Sequence, residues 1–179
     1  FNVILDWMNL QYGLVTDRED PLGLCRNQVT REREEACYYE YAMRVHGLAG
    51  DNIVRIAELF IDPIEDDYMA SVAIGSAVAT VIEATLEKED FSDYFLDCRN
   101  LQERLRQACA NSVIYGVIYH GEPKKEYVEA LELCNSSLLS ANEKEICYKQ
   151  ISSYISPYWP DKKKQICTSF EEDYRKFCR

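Results

Sequence analysis

The sequence predicts an all-α fold: a right-handed array of αα-hairpins, about four to five repeats, stapled by local disulfides. Three observations predict it. The residue balance favours helix, eight cysteines fall into four local pairs, and those pairs recur at a helix-pair interval.

The 179 residues hold seven Gly and five Pro, with 47% hydrophobic and 28% charged side chains. That balance belongs to a folded chain, and helix-friendly Ala, Leu, Glu, Lys and Arg dominate its surface-like positions. The length suits one compact domain or one short repeat array with a continuous core. We read residues 1–179 as a single domain, with 1–24 as an N-terminal cap and 25–179 as helix pairs.

Taken consecutively, the cysteines form the pairs 25–37, 98–109, 134–147 and 167–178, enclosing eleven, ten, twelve and ten residues. The gaps between pairs are longer and unequal. If the first Cys of each pair ends one helix and the second opens the next, such a spacing covers a helix end, a turn and a helix start. The two side chains then meet at the neck of a hairpin, within the short Cα separation a disulfide needs. Each closure contributes about 3 kcal/mol in the chain-entropy model. Metal or iron–sulfur ligation favours C-x-x-C spacings, and none occurs. Four disulfides imply an oxidising, extracytoplasmic compartment: periplasm, cell surface, extracellular space or organelle lumen.

First cysteines recur at 98, 134 and 167, steps of 36 and 33; second cysteines recur at 109, 147 and 178, steps of 38 and 31. From the first pair to the second the steps are 73 and 72, close to two periods. One repeat has therefore lost its pair, with Phe60 and Ala70 or Ala73 in the cysteine places. Periods in this range signal solenoid arrays of helix pairs.

The expected helices follow in order. Residues 2–13 carry Phe1, Val3, Ile4, Leu5, Trp7, Met8 and Leu10 nearby and read as a helix packed on the first hairpin. Helix 30–46 carries Cys37, and 51–60 opens the repeat without cysteines. Asp62–Pro63–Ile64–Glu65 reads as an N-cap, a first-turn Pro and an acidic residue opening helix 63–87. Its apolar run at 69–82, flanked by Asp66, Asp67 and Glu83, is too short to span a bilayer and reads as a buried core helix. Helices 91–98 and 101–119 flank the second pair. Glu122–Pro123 opens helix 123–134, whose Tyr127, Leu131 and Cys134 are spaced three to four apart. Ser140–Ala141–Asn142–Glu143 and Thr168–Ser169–Phe170–Glu171 match the capping box and open 141–155 and 169–178. Helix 161–167 lies between them.

Net charge is −11. An acidic surface repels phosphate backbones, so nucleic acid is not an expected partner. The three lysines at 162–164 read as a solvated helix start. Phe1 is compatible with a mature chain after signal removal, a processed segment or a fragment.

Little points to chemistry, and no cofactor is expected. His46 and His120 each precede a Gly, where a helix dipole favours a His in the last turn before a Gly C-cap. The chain has no H-E-x-x-H, G-x-S-x-G, P-loop or EF-hand motif. With 31 acidic residues, any carboxylate pair lacks specificity as an acid and base. The unusual surplus is thirteen tyrosines. Tyr38, Tyr39 and Tyr41 follow Cys37, and Tyr115, Tyr119, Tyr148 and Tyr154 recur at corresponding places. Part of this set packs between helices. As a candidate binding face we take Tyr38, Tyr41, Tyr115, Tyr119, Tyr148 and Tyr154, since Tyr is enriched in interface hot spots. Asn135–Ser136–Ser137 is a glycosylation sequon on an expected turn.

Tyr115–Gly116–Val117–Ile118–Tyr119–His120–Gly121, followed by Tyr127–Val128–Glu129–Ala130–Leu131–Glu132–Leu133–Cys134, resembles the tetratricopeptide-like class. It is most similar to the Sel-like repeats, including their cysteine-rich secreted versions. Weaker echoes run from Cys37 through Gly47 and from Cys147 through Cys167. The resemblance implies a curved array with a concave, aromatic-rich face for protein or peptide binding and no catalytic residues. The expected function is a non-catalytic binding or assembly module outside the cytoplasm, a scaffold or accessory subunit of a cell-surface, membrane-bound or fibrous complex whose partner is another protein. Two alternatives stand beside it: an envelope hydrolase using groove carboxylates, and a small-ligand or haem carrier using His46 or His120.

Overall fold

The computed structural model describes residues 20, 22–86, 91–122 and 125–178, with the side chains of 47 and 48 left aside. The expected helix 2–13 and most of the cap 1–24 lie outside the described residues. The helices in chain order are α1 (Gly23–Arg26), α2 (Arg31–Ala49), α3 (Ile53–Ile56), α4 (Asp67–Ala84), α5 (Ser92–Arg99), α6 (Glu103–His120), α7 (Glu126–Asn135), α8 (Ala141–Tyr158) and α9 (Lys163–Thr168). A π-helical turn, Ala57–Ile61, continues α3; 3₁₀ turns Pro160–Lys162 and Glu172–Phe177 complete the set among the described residues. Among the described residues the fold is all-helical and holds no strand.

The apolar run at 69–82 becomes the central helix. α4 buries Met69, Ala70, Ala73, Ile74, Ala77, Val78, Val81 and Ile82 and packs chiefly between α2 and α6. A helix apolar on most of its circumference is stable only when covered on more than one side. Its small residues let the neighbours approach: Ser76 Oγ donates to the Tyr39 carbonyl of α2 at 3.0 Å. Among the described residues no helix is long and apolar enough to cross a membrane.

All four cysteine pairs are joined as the spacing predicts, with Cα separations of 5.3, 5.7, 5.5 and 5.7 Å. Cys98, Cys134 and Cys167 lie in the last turns of α5, α7 and α9. Cys37, Cys109 and Cys147 each occupy the seventh position of α2, α6 and α8, which start at 31, 103 and 141. Four such bonds fit an oxidising, extracytoplasmic location.

Several helix boundaries differ from expectation. α7 begins at Glu126, with Pro123 of the expected start outside the described residues, and α8 runs on to Tyr158. Three further differences have a visible cause. α4 is capped by Asp66, whose Oδ1 accepts from the Met69 amide at 3.0 Å, and not by Asp62. The chain from Asp62 to Asp66 is a turn that drops Ile64 into the core, and Arg104 of α6 holds it open. Its guanidinium donates to the Ile64 carbonyl at 2.8 Å, to the Asp62 carbonyl at 3.0 Å and to Asp67 Oδ1 at 3.0 Å. Carbonyls that helix 63–87 would have used internally are satisfied from another helix. Thr168 opens no helix: it ends α9, its hydroxyl donating to the Lys164 carbonyl at 2.7 Å. Buried Phe170, the Cys167–Cys178 bond and the Arg175 Nε hydrogen bond to the Phe170 carbonyl at 3.2 Å turn the chain tightly, so a 3₁₀ segment forms. α2 runs past Gly47 to Ala49, and its C-cap is Gly50 at φ 71°, a left-handed conformation that glycine adopts without strain.

The Ser140 capping box forms as expected: the Glu143 amide donates to Ser140 Oγ at 3.4 Å, and Ser140 N to Glu143 Oε2 at 2.7 Å. Arg99 completes it from α5, its Nε and Nη2 each 2.6 Å from the Glu143 carboxylate.

Candidate functional site

α6, α7 and α8 end or begin around one open cleft of about 580 Å³, and seven of its side chains are Tyr115, Tyr119, Glu126, Tyr127, Tyr154, Tyr158 and Trp159. The local sequence explains the convergence. Tyr115 and Tyr119 are one helical turn apart on α6 and stack at 5.3 Å with 18° between their planes. Tyr154 and Tyr158 repeat that spacing on α8, with centroids 5.7 Å apart. Tyr115 meets Tyr154 across the gap at 6.4 Å.

Pro157 lies in the last turn of α8, and Pro160 opens the 3₁₀ turn that follows. Between them Trp159 leaves the helical region at φ −135°, ψ 49°, because the residue before a proline avoids the α conformation. That turn sends its indole to Tyr158 at 6.1 Å and to Tyr127 of α7 at 5.7 Å, edge to face. A chain of six rings thus lines the cleft, from Tyr119 through Tyr115, Tyr154, Tyr158 and Trp159 to Tyr127. Ile118 and Tyr127 are buried in its wall, whereas Tyr119 and Tyr158 are 65% and 61% exposed.

Burial first, then the neighbouring phenols of Tyr119, Tyr39, Tyr154 and Tyr158, hold the Tyr115 phenol above its ordinary pKa. Tyr39 of α2, 48% exposed, extends the aromatic surface towards that helix. Glu126, Asp161 and Lys162 are the charged side chains in the lining, and Lys162 Nζ stands 5.8 Å over the Tyr127 ring. On α7, partial burial raises the Glu129 carboxyl, and like charges on Glu122, Glu132 and Glu126 push it further the same way.

The expected tyrosine face divides. Tyr115, Tyr119 and Tyr154 meet at this cleft, while Tyr38, Tyr41 and Tyr148 are buried and present no ring to solvent. Tyr38 and Tyr41 fall on the inward stripe of α2 with Cys37, Ala42 and Val45, and Tyr41 packs edge-on against Phe60 at 6.3 Å. Tyr148 lies between Phe170 and Tyr174, each 4.7 Å away, and its hydroxyl donates to Asn135 Oδ1. Burial is the first cause that pushes the Tyr38 and Tyr148 phenols up to about 12. Counting positions from each cysteine ignored the helical phase that separates Tyr38 from Tyr39. Tyr127, Tyr158 and Trp159 were missed, although the Tyr154–Tyr158 interval and the two flanking prolines signal them.

Asn135, the sequon residue, is exposed at the last position of α7. The histidines are separately occupied. His46 Nε2 is 2.9 Å from Asp51 Oδ1, and His120, edge-on to Tyr119 at 5.0 Å, has Nδ1 3.9 Å from Glu83 Oε1. Among the described residues no three His, Cys, Asp or Glu side chains converge as ligands for a metal ion. A second cleft of about 470 Å³ between α5, α6 and α8 surrounds the Arg99–Glu143 pair. There burial pushes the Glu143 carboxyl up, but hydrogen bonds from Arg99 and Ser140 outweigh it and hold it below the usual range. Comparison with known proteins finds no matching family model, no matching curated protein and no matching solved structure.

Proposed function

We propose that this chain is a non-catalytic protein-binding or assembly module that works outside the cytoplasm and contacts its partner through the aromatic cleft of α6, α7 and α8. The observation that carries the reading is the cleft itself. Six rings line a concave surface whose edges, Tyr119 and Tyr158, are mostly exposed, and a fold gains nothing by leaving such rings in water. Large amphipathic rings lose little side-chain entropy when a partner covers them, which is why they anchor interfaces.

The helix pairs are read as a right-handed, tetratricopeptide-like array similar to the Sel-like repeats. The shared seventh-position register of Cys37, Cys109 and Cys147 supports this. Buried Ala73 stands at the same seventh position of α4, where the repeat without cysteines would have carried its second one. Such a module is a scaffold or an accessory subunit of a cell-surface, membrane-bound or fibrous complex, in the periplasm, at the surface, secreted or in an organelle lumen. Disulfides suit those compartments.

Cross-linking mass spectrometry on gently extracted native material, without reductant, tests the reading. Cross-links from Lys125 and Lys162, beside the cleft, to one other protein are the expected result. A partner held solely through a distant face, or a monomer that turns over a small substrate, would overturn it.

A further inference from the structure

We propose that Asn135 carries an N-linked glycan on its Nδ2, at the far end of α7 from the aromatic cleft. The inference goes beyond the protein-binding reading and does not depend on it.

The sequence narrows the position first. Transfer of an oligosaccharide to asparagine needs Asn-x-Ser or Asn-x-Thr, with x other than proline. The chain holds eight asparagines, and Asn135–Ser136–Ser137 alone has that form. Four disulfides suit a chain that passes through an oxidising lumen, where such a transfer takes place.

The fold presents this sequon to solvent. Asn135 is the last residue of α7 and is exposed. Ser136 leaves the helix with an extended backbone at φ −56°, ψ 134°. Ser137 and Leu138, in the turn that follows, are exposed as well. A bulky hydrophilic group needs a surface site from which it can project without displacing packed atoms, and this turn supplies one.

The Asn135 side chain is also oriented for it. Its Oδ1 accepts a hydrogen bond from the hydroxyl of buried Tyr148, whereas Nδ2 has no hydrogen-bond partner among the described residues. An asparagine amide accepts at oxygen and donates at nitrogen, so the oxygen faces the core and the nitrogen lies on the side away from Tyr148. Glycosylation consumes one N–H and spares the oxygen. The Tyr148 hydrogen bond, and the packing of that ring between Phe170 and Tyr174, therefore survive it.

The donor is a lipid-pyrophosphate-linked oligosaccharide acting with its transferase. The bond from the sugar C1 to the pyrophosphate oxygen breaks, and a bond from C1 to Nδ2 forms. The lipid pyrophosphate leaves, and the amide proton passes to a base of the transferase.

α7 keeps the glycan and the cleft apart. Glu126, its first residue, lines the cleft, and Asn135, its last, stands about 14 Å further along the axis at the helical rise. None of residues 135–137 lines the cleft. The glycan thus covers the turn between α7 and α8 and leaves Tyr119 and Tyr158 open to a partner.

The test weighs the proteolytic peptide that holds Asn135, from native material, before and after treatment with peptide-N-glycosidase. The expected result is a peptide bearing hexose and N-acetylhexosamine, which the enzyme strips while converting Asn135 to aspartate. In a secreting host cell that glycosylates, Asn135→Gln and Ser137→Ala should each abolish the added mass. Ser136→Ala and Ser137→Thr should keep it. Ser137→Ala leaves the Asn135–Tyr148 hydrogen bond in place, and a non-reduced peptide map showing all four disulfides separates a lost sequon from a lost fold. A sugar-free native peptide would overturn the inference. So would sugar that persists in Ser137→Ala, or sugar that resists the glycosidase and leaves by base elimination from Ser136 or Ser137.

Discussion

Gly116 of α6 lies directly against Ile82 of α4: a Cβ added at 116 would stand 2.9 Å from the Ile82 Cβ and 3.0 Å from its Cγ1. The atoms it would meet are the branch point of a buried side chain, which has no free end to swing away. Gly116→Ala should therefore destabilise the fold by about 1–3 kcal/mol through overpacking, even though alanine is the better helix former. Urea unfolding by circular dichroism measures it. An unchanged midpoint would show that α4 and α6 separate without cost. Gly75, whose added Cβ would meet only the Ser112 hydroxyl at 3.0 Å, should tolerate alanine better.

Arg104→Lys should cost about 1–3 kcal/mol, because one ammonium replaces a fork that reaches the Asp62 and Ile64 carbonyls and Asp67 together. Thermal unfolding of the two proteins side by side gives the difference. A wild-type midpoint in the variant would mean that water already serves those carbonyls.

That turn also shows where sequence reading stops. Asp62–Pro63 carries every local sign of a helix start, and the competing arrangement depends on an arginine about forty residues further along the chain. The cysteine pairing was readable because each bond is local and its spacing repeats. The Ser140 box and the burial of 69–82 are local in the same way. The aromatic cleft was half readable: the same-face interval of Tyr115 and Tyr119 is written in the chain, but their meeting with Tyr154, and the sideways turn of Trp159, need three helices in place. Tyr38 and Tyr39 are neighbours in sequence and opposites in burial, a matter of helical phase that residue type cannot reveal.

The Glu143–Arg99 pair makes stability depend on acid. Glu143 titrates lower in the fold than its reference value of 4.5, since the Arg99 and Ser140 hydrogen bonds outweigh its burial. Its contribution is complete above that reference value and is lost as pH falls through the lower folded value. Unfolding free energies measured from neutral pH down into acid should thus fall more steeply for the wild type than for Glu143→Gln. At neutral pH the variant should be weaker by roughly 1–2 kcal/mol, discounted because Arg99 is half exposed. Parallel acid limbs would remove Glu143 from the account.

Alkali should act through the buried phenols. Tyr38 and Tyr148 ionise near 12 in the fold against 10.0 as the reference, so folded protein holds those protons after unfolded chain has released them. The stability they confer is complete below pH 10 and is lost as pH rises towards 12. Burial raises the Tyr41 phenol further still, so absorbance titration at the phenolate band should show at least three late tyrosines, and Tyr148→Phe should remove one. The same variant should lose about 0.5–1.5 kcal/mol at neutral pH, because its hydroxyl no longer donates to Asn135. Titration of Tyr148 with the exposed tyrosines would contradict its packing between Phe170 and Tyr174.

The four disulfides should not open together. Cys25, Cys37, Cys98, Cys109, Cys134 and Cys147 are buried, whereas Cys167 and Cys178 are half-buried at the chain's end. Attack by an external thiolate needs access to a sulfur, so limited reductant should open 167–178 first, read by alkylation and peptide mapping. Opening that bond frees the 3₁₀ segment carrying Tyr174 and Phe177, and with it one of the two rings that cover Tyr148. The aromatic cleft lies on the other side of the Tyr148 position along α8, at Tyr154 and beyond. A protein alkylated at Cys167 and Cys178 should therefore keep its cleft, and Trp159 emission should barely change. The Cys98→Ala/Cys109→Ala protein should fare worse: it loses about 3 kcal/mol of loop closure at the neck of the α5–α6 hairpin, and α6 carries Tyr115 and Tyr119. If reductant opened 98–109 before 167–178, the buried neck of that hairpin would be less stable than its packing implies.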